Sequence, residues 1–196
     1  MCQRCAWAQG SEAEQQYHDQ VWGVPQTNDQ QLFEYLILEG AQAGLSWSTI
    51  LNKRSGYTRL YEGFDAVTVA LFGEDKVQQM LLDPGIVRNR LKVKSSIKNA
   101  TAFLELAAKH GSFAHYIWQF VDGQPLQNSW QSHQHVPAET AQSQAMSKAL
   151  KKVGMSFVGP TICYAYMQAT GMVNDHEVGC FRYQECKVLA QSFSLS

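Results

Sequence analysis

The feature that most constrains this chain is the stretch 161–170, TICYAYMQAT, which is nearly apolar on every side. A helix with no polar face has to be enclosed by others, so this segment predicts the centre of a helical protein. Chemistry frames it at both ends. Before it come Lys151 and Lys152 and a turn punctuated by Gly154 and Gly159. A tight glycine turn feeding a helix leaves several backbone N–H groups without intrahelical partners, which suits an anion such as phosphate. After it, Gly171 stops the helix, and His176 and Cys180 follow four residues apart. That spacing puts both on one face of a helical turn, where they suit a soft divalent metal.

The rest of the chain repeats the helical signal. Asn28 caps a helix whose apolar positions Leu32, Phe33, Leu36 and Ile37 share a face, ending near Gly40 or Gly44. Asp65 caps a short helix over 65–72 closed by Gly73, and 74–82 forms another, stopped by Asp83-Pro84-Gly85. A long helical pattern covers 87–109, a short aromatic helix 113–121, and a basic amphipathic helix 143–153 with Ser143 as its cap. Sustained alternation is missing, so no strand is expected. Residues 122–142, polar and with two prolines and two histidines, read as a long surface loop. The expected fold class is all-α, made of many short helices. At 196 residues the default is a single domain over 1–196.

Composition excludes several classes. No window approaches 18 consecutive apolar residues, so no membrane span is expected. The segment MCQRCAWAQG lacks the charged-then-apolar pattern of a signal peptide, which points to the cytoplasm, where thiols stay reduced. Five cysteines, an odd number, fit metal ligation plus buried thiols better than a disulfide framework. A net charge of −1 argues against a broad nonspecific grip on nucleic acid but allows a local basic face. Arg88, Arg90, Lys92, Lys94 and Lys98 form one basic cluster, and Lys148, Lys151 and Lys152 another. Taken alone, each reads as a solvated helix face. For the metal, partners of His176 and Cys180 come from Cys2, Cys5 and His18. Cys2 and Cys5 make a Cys-x2-Cys pair, whereas Cys5 with His18 matches the composition of the later pair. The same side chains also serve as ordinary buried thiols and core histidines, and spacing does not decide between the two.

Four blocks, CAW…YHDQVWGVP (5–25), LILEGAQAGLSW (36–47), PGIVRNRLK (84–92) and FVGPTICYAYMQATGMVNDHEVGC (157–180), carry a specific likeness. In this order, over essentially the whole chain, they resemble the bacterial DNA-3-methyladenine glycosylases of the constitutive type I class. The resemblance implies a helix-hairpin-helix glycosylase fold, with two helical lobes and a cleft between them. Its hairpin region falls at about 148–171, where Lys151, Lys152, Gly154, Gly159 and Thr161 would hold DNA phosphate. It implies one structural zinc ion joining both ends of the chain through Cys5, His18, His176 and Cys180. The implied partner is double-stranded DNA carrying alkylated bases, with a monomer as the expected state. One departure stands out: many relatives carry an aromatic residue a few positions before the Tyr-His pair, and here residues 12–16 are polar or small.

The chemistry can also be argued from the residues. N3-methylation leaves adenine cationic, so its glycosidic bond is already weak and a strong acid is less needed. The base has to leave the stack to be reached. An aromatic-walled pocket suits a flat cation, each contact being worth about 0.5–2 kcal/mol. Trp7, Tyr17, Trp22 and Trp47 are the candidates for its walls, although a core position is the commoner fate of tryptophans such as Trp7 and Trp22. Glu39 has apolar and small neighbours, Ile37, Leu38, Gly40 and Ala41, so burial with a raised pKa is expected. The family's matching glutamate lines the base pocket. Glu39 is therefore assigned recognition of the base and, second, stabilisation of the oxocarbenium-like sugar or orientation of water, with Tyr17 as the other catalytic candidate. Leu45, on a glycine-preceded loop, is a candidate wedge into the base stack.

Related lyases carry a lysine just after the hairpin, and here Pro160-Thr161 stands in its place, implying a glycosylase without strand cleavage. Asp175, beside His176, is expected to orient that ligand or cap a turn rather than act as an acid. Two other functions fit parts of the sequence. One is a helical zinc module that binds DNA without chemistry, and the other is a small-molecule zinc hydrolase, which would need an open metal position.

Overall fold

The structure is a computed structural model and describes residues 3–195. Cys2, considered above as a metal ligand, lies outside the described residues. A 3-10 turn, Ala6–Gln9, leads into α1 (Glu12–Gln20), α2 (Asp29–Gln42), α3 (Trp47–Leu51), α4 (Arg54–Leu60), α5 (Ala66–Ala70) and α6 (Glu74–Leu82). Then come α7 (Arg90–His110), α8 (Phe113–Trp118), β1 (Leu126–Gln127), α9 (Ala141–Lys152), α10 (Pro160–Ala169), β2 (Val173–Asn174) and α11 (Phe181–Gln191). Among the described residues no helix is long and apolar enough to cross a membrane.

Local chemistry places most of the starts. The Asn28 side chain accepts from the Gln31 amide, Asp65 from Val67 and Thr68, and Asn89 from Lys92, each closing a first turn. The basic helix α9 corrects the sequence reading. Thr140 is its cap, and Ser143 sits at the third position, its hydroxyl returning to the Thr140 amide in a capping box. Ser143 is fully buried there. Sequence reading also passed over α1, α4 and α11, whose mean polarity masks a modest apolar face.

Two helices form the centre. Helix α10 buries Cys163, Tyr164, Tyr166, Met167 and Ala169, and packs between α9 and α2. Helix α2 is enclosed more widely than a single face, since Tyr35, Leu38, Glu39, Gly40 and Ala41 are buried with the four expected positions. Its carboxyl end is capped by a distant side chain: Lys92 Nζ donates to the carbonyls of Ala41 at 2.8 Å and Ala43 at 2.6 Å. Lys92 is thus no part of a solvated basic face, and Arg90 and Lys94 of the same cluster pair with Glu74.

The segment after α10 turns back sharply. Gly171 has φ +69°, and a Cβ there would lie 2.3 Å from the Pro25 nitrogen. Backbone bonds from Gly23 to the Gln168 carbonyl and from Gln26 to the Thr170 carbonyl, both 3.0 Å, fix this close approach. The region 122–142 is not a free surface loop. β1 pairs in parallel with β2, Leu126 opposite Val173 and Gln127 opposite Asn174. Two residues are too few for alternation to register in a sequence.

Candidate active site and metal centre

Three short elements deliver side chains to two adjoining sites. The turn Ala6–Gln9 carries Trp7 and has Cys5 as its N-cap. Helix α1 carries Tyr17 and His18, whose neighbouring positions point about 100° apart around the axis. The stretch after β2 carries His176 and, as the N-cap of α11, Cys180. Trp7 and Tyr17 go to a cavity, and their neighbours Cys5 and His18 join His176 and Cys180 in a cluster of metal-ligand type.

The cavity, about 230 Å³, is lined by Trp7, Tyr17, Trp22, Glu39 and Trp47 together with Gln42, His133, Ala165 and Gln168. All five residues expected at a base pocket therefore line one space. Ring centroids of Trp7 and Trp22 lie 5.0 Å apart, those of Tyr17 and Trp47 5.1 Å, and those of Trp7 and Tyr17 6.3 Å. Glu39 is 3% exposed. Burial alone pushes its carboxyl up from the usual 4.5 to about 8. Among the described residues, Glu39 Oε2, Trp7 Nε1 and Trp47 Nε1 are buried without a hydrogen-bond partner. Unpaired polar atoms are costly in a core, so their concentration on one cavity wall indicates a ligand that completes them. Burial, then the nearby Glu39 carboxyl, holds the Tyr17 phenol well above its normal range, so it is a neutral hydroxyl there.

Four of the lining residues were not anticipated. Gln42 follows Glu39 by one turn, and Ala165 and Gln168 share a face of α10, so Gln168, the lone amide in the apolar run, was the available signal. His133 comes from the loop after β1 and left no signal.

Leu45 is 41% exposed on the loop between α2 and α3, beside Gly44 at φ +79°. The hairpin between α9 and α10 carries the other expected DNA contacts. Lys151, Lys152 and Thr161 are exposed, and Gly159 caps α10 with open space around its Cα. The turn offers fewer outward amides than expected. Gly154 N–H bonds to the Lys151 carbonyl at 2.9 Å, Met155 N–H to Leu150 at 3.0 Å and Ser156 N–H to Asn99 Oδ1 at 2.9 Å. Asn99 also donates to the Ser156 carbonyl at 2.9 Å, which ties the hairpin to α7. Next in the turn, Phe157 rests on Gly40, where an added Cβ would stand 3.4 Å from the phenylalanine Cβ. The hairpin is thus braced against the helix turn that carries Glu39.

Cys5, His18, His176 and Cys180 are all buried, with their ligand atoms within 4.8 Å of one another. Cys5 Sγ lies 3.5 Å from His176 Nδ1, and Cys180 Sγ lies 3.4 Å from His18 Nε2 and 3.7 Å from His176 Nδ1. The two neighbouring thiols hold each other apart in acidity: Cys180 is held low by Cys5, and Cys5 is held high by Cys180 and by burial. The segment 176–180 is a turn closed by Cys180 N–H to the Glu177 carbonyl at 2.8 Å, not the helical face that the spacing suggested. Outer partners fix both rings: His18 Nδ1 lies 2.8 Å from Asp19 Oδ1, which Arg4 also binds, and His176 Nε2 lies 3.0 Å from the Trp22 carbonyl. The last contact joins the two sites directly, and the Trp22 and His176 rings meet edge-on at 4.7 Å.

Asp175 does neither of the things expected of it. Its Oδ1 accepts from Asn128 Nδ2 at 2.6 Å and Trp130 Nε1 at 2.8 Å, and its Oδ2 from Tyr164 Oη at 2.6 Å and Gln168 Nε2 at 2.8 Å. Both oxygens are fully engaged, so Asp175 is not a general base, and it has no bond to either histidine ring.

A helical frame enclosing an aromatic cavity with one buried carboxyl defines a receptor for a flat, positively charged ligand. The chain belongs to the methyladenine glycosylase family, whose model matches residues 7–183. DNA-3-methyladenine glycosylase 1 of Escherichia coli strain K12 is 45% identical over 181 residues, covering 92% of this chain and 97% of that protein. A crystal structure of a 3-methyladenine DNA glycosylase I superposes with a TM-score of 0.89 at 47% identity, covering 91% and 98% of the two chains. The Staphylococcus aureus 3-methyladenine DNA glycosylase I, whose structure describes 3-methyladenine recognition, gives a TM-score of 0.88 at 30% identity over 91% and 95%.

Proposed function

We propose that this protein is a monofunctional DNA glycosylase of base-excision repair. It turns 3-methyladenine out of alkylated duplex DNA and hydrolyses its N-glycosidic bond. The observation that carries the reading is the cavity in which Trp7, Tyr17, Trp22 and Trp47 surround the desolvated carboxyl of Glu39. Stacking, at about 0.5–2 kcal/mol per contact, holds any purine. Charge does the sorting, because a carboxylate about 4 Å from a cation gains roughly 4 kcal/mol at an effective dielectric constant of 20. A neutral adenine gains nothing comparable and leaves Glu39 protonated. The cationic base is already a good leaving group, so no side chain has to protonate it. Glu39, with the Tyr17 hydroxyl beside it, also faces the positive charge that develops on the sugar as the bond breaks.

The Cys5, His18, His176 and Cys180 set supports one structural zinc ion. Tetrahedral bonds of about 2.3 Å to sulfur and 2.0 Å to nitrogen set sulfur–nitrogen edges of about 3.5 Å. The observed separations of 3.4, 3.5 and 3.7 Å match those edges before any ligand moves. Four protein ligands leave no open position, so the metal would brace the fold and supply no hydrolytic water. The α9–turn–α10 unit is read as the helix-hairpin-helix, with Lys151, Lys152, Gly154, Gly159 and Thr161 towards DNA phosphate and Leu45 towards the base stack. On this reading the chain works as one glycosylase unit over 1–196. A module that only held phosphate would have no use for the cavity.

Release of free base from methylated duplex DNA tests the proposal. The wild-type protein releases 3-methyladenine, and Glu39→Gln and Trp47→Ala lose most of that rate. Full activity in both variants would refute the pocket assignment.

A further inference from the structure

Gln168 lines the cavity, and its side-chain amide is not free to turn. Its Nε2 donates to Asp175 Oδ2 at 2.8 Å. Asp175 is 2% exposed and takes its other bonds from Tyr164, Asn128 and the Trp130 indole, which can only donate. A carboxylate filled in this way demands an N–H from the amide facing it. Turning the amide over would set its carbonyl against the carboxylate, acceptor facing acceptor, and lose the bond beside a buried charge that keeps only Tyr164 on that oxygen. The carbonyl Oε1 is therefore the end of Gln168 left for the cavity.

We propose that Gln168 is a specificity-determining residue for the excised base and that Asp175 is its positioning residue. Gln168 Oε1 accepts a hydrogen bond from the exocyclic amine of a purine held against Glu39. The inference deepens the glycosylase reading and rests on it. Glu39 comes from α2 and Gln168 from α10, so a base between them meets hydrogen-bond acceptors from two separate helices. A 6-amino purine satisfies them. A 6-oxo purine brings an oxygen to the same place, and an acceptor facing an acceptor leaves both unpaired. An unrestrained glutamine would adapt by turning over, and Asp175 removes that freedom. This gives a role to a buried carboxylate that neither the metal cluster nor the chemistry uses.

The test titrates the intrinsic tryptophan fluorescence with two free bases, 3-methyladenine and 3-methylhypoxanthine, which carries oxygen in place of the amine. Gln168→Leu should weaken 3-methyladenine binding by about tenfold, the scale of one buried hydrogen bond, and leave 3-methylhypoxanthine unchanged or tighter. Asp175→Asn should act in the same direction, because its new amide can donate to Gln168 Oε1 and turn Nε2 into the cavity. A residue that only packs would change both affinities together. Equal losses for the two bases, or no loss, in Gln168→Leu protein that melts like wild type would overturn the proposal, whether or not Asp175→Asn folds. Base release by the wild-type protein is measured alongside. Its absence would sink the glycosylase reading, while the ligand comparison would still decide Gln168.

Discussion

Replacing Glu39 by glutamine should make the protein more stable, and by an amount that depends on pH. The unfolded chain loses the Glu39 proton near 4.5, whereas burial holds it in the folded chain to about 8. Between these values the folded state binds more protons than the unfolded one, so wild-type stability falls as pH rises. The penalty is absent below pH 4.5, reaches about 3 kcal/mol at pH 7, and levels off near 5 kcal/mol above pH 8. Glutamine cannot ionise and escapes all of it. Its amide replaces a carboxyl whose Oε2 is already without a partner among the described residues, so little hydrogen bonding is lost. For a chain of this length the gain corresponds to a melting shift on the order of 10 °C at pH 8, and almost none at pH 4.5. Thermal melts of the two proteins across pH 4.5–8.5 measure the difference directly. Every other group is common to the two proteins and cancels in the difference. Parallel melting curves over that range would refute the claim that Glu39 is a desolvated carboxyl held for a cation.

Three further outcomes follow from the geometry. Cys180→Ala should bind no zinc by elemental analysis and melt earlier, since the metal's binding energy is folding energy; retained zinc would mean a different ligand set. Lys151→Ala with Lys152→Ala should weaken DNA binding and lower the slope of log K against log salt by about 1–2, and an unchanged slope would place the phosphate contacts elsewhere. Gly171→Ala should fail to fold or lose several kcal/mol, because φ is +69° and the new Cβ would lie 2.3 Å from both the Pro25 nitrogen and the Val24 carbonyl carbon; a wild-type melting temperature would contradict that close approach.

Local rules carried much of the architecture. A cap and a hydrophobic period act over three or four neighbouring residues, so Asn28, Asp65 and the segment 74–82 could be read without knowing what they pack against. The four cysteine and histidine positions and the aromatic set around Glu39 were also visible as residue types, helped by four blocks of family likeness. What the sequence could not rank was burial and partnership, because these depend on segments far apart in the chain. Lys92 looked like part of a basic face and instead caps α2 across 49 residues. Asp175 looked like a neighbour of a metal ligand, and its partners come from the loop at 128–130 and from α10. His133 reached the cavity because β1 pairs with β2 and because Val178 N–H on the Trp130 carbonyl and His133 N–H on Glu177 Oε1 hold its loop there. By itself the sequence determined which helices form and which side chains have the chemistry to serve. Only the tertiary structure decided which carboxyl would be stripped of water and which would be saturated, because desolvation is set by everything that packs around a group and not by its neighbours in the chain.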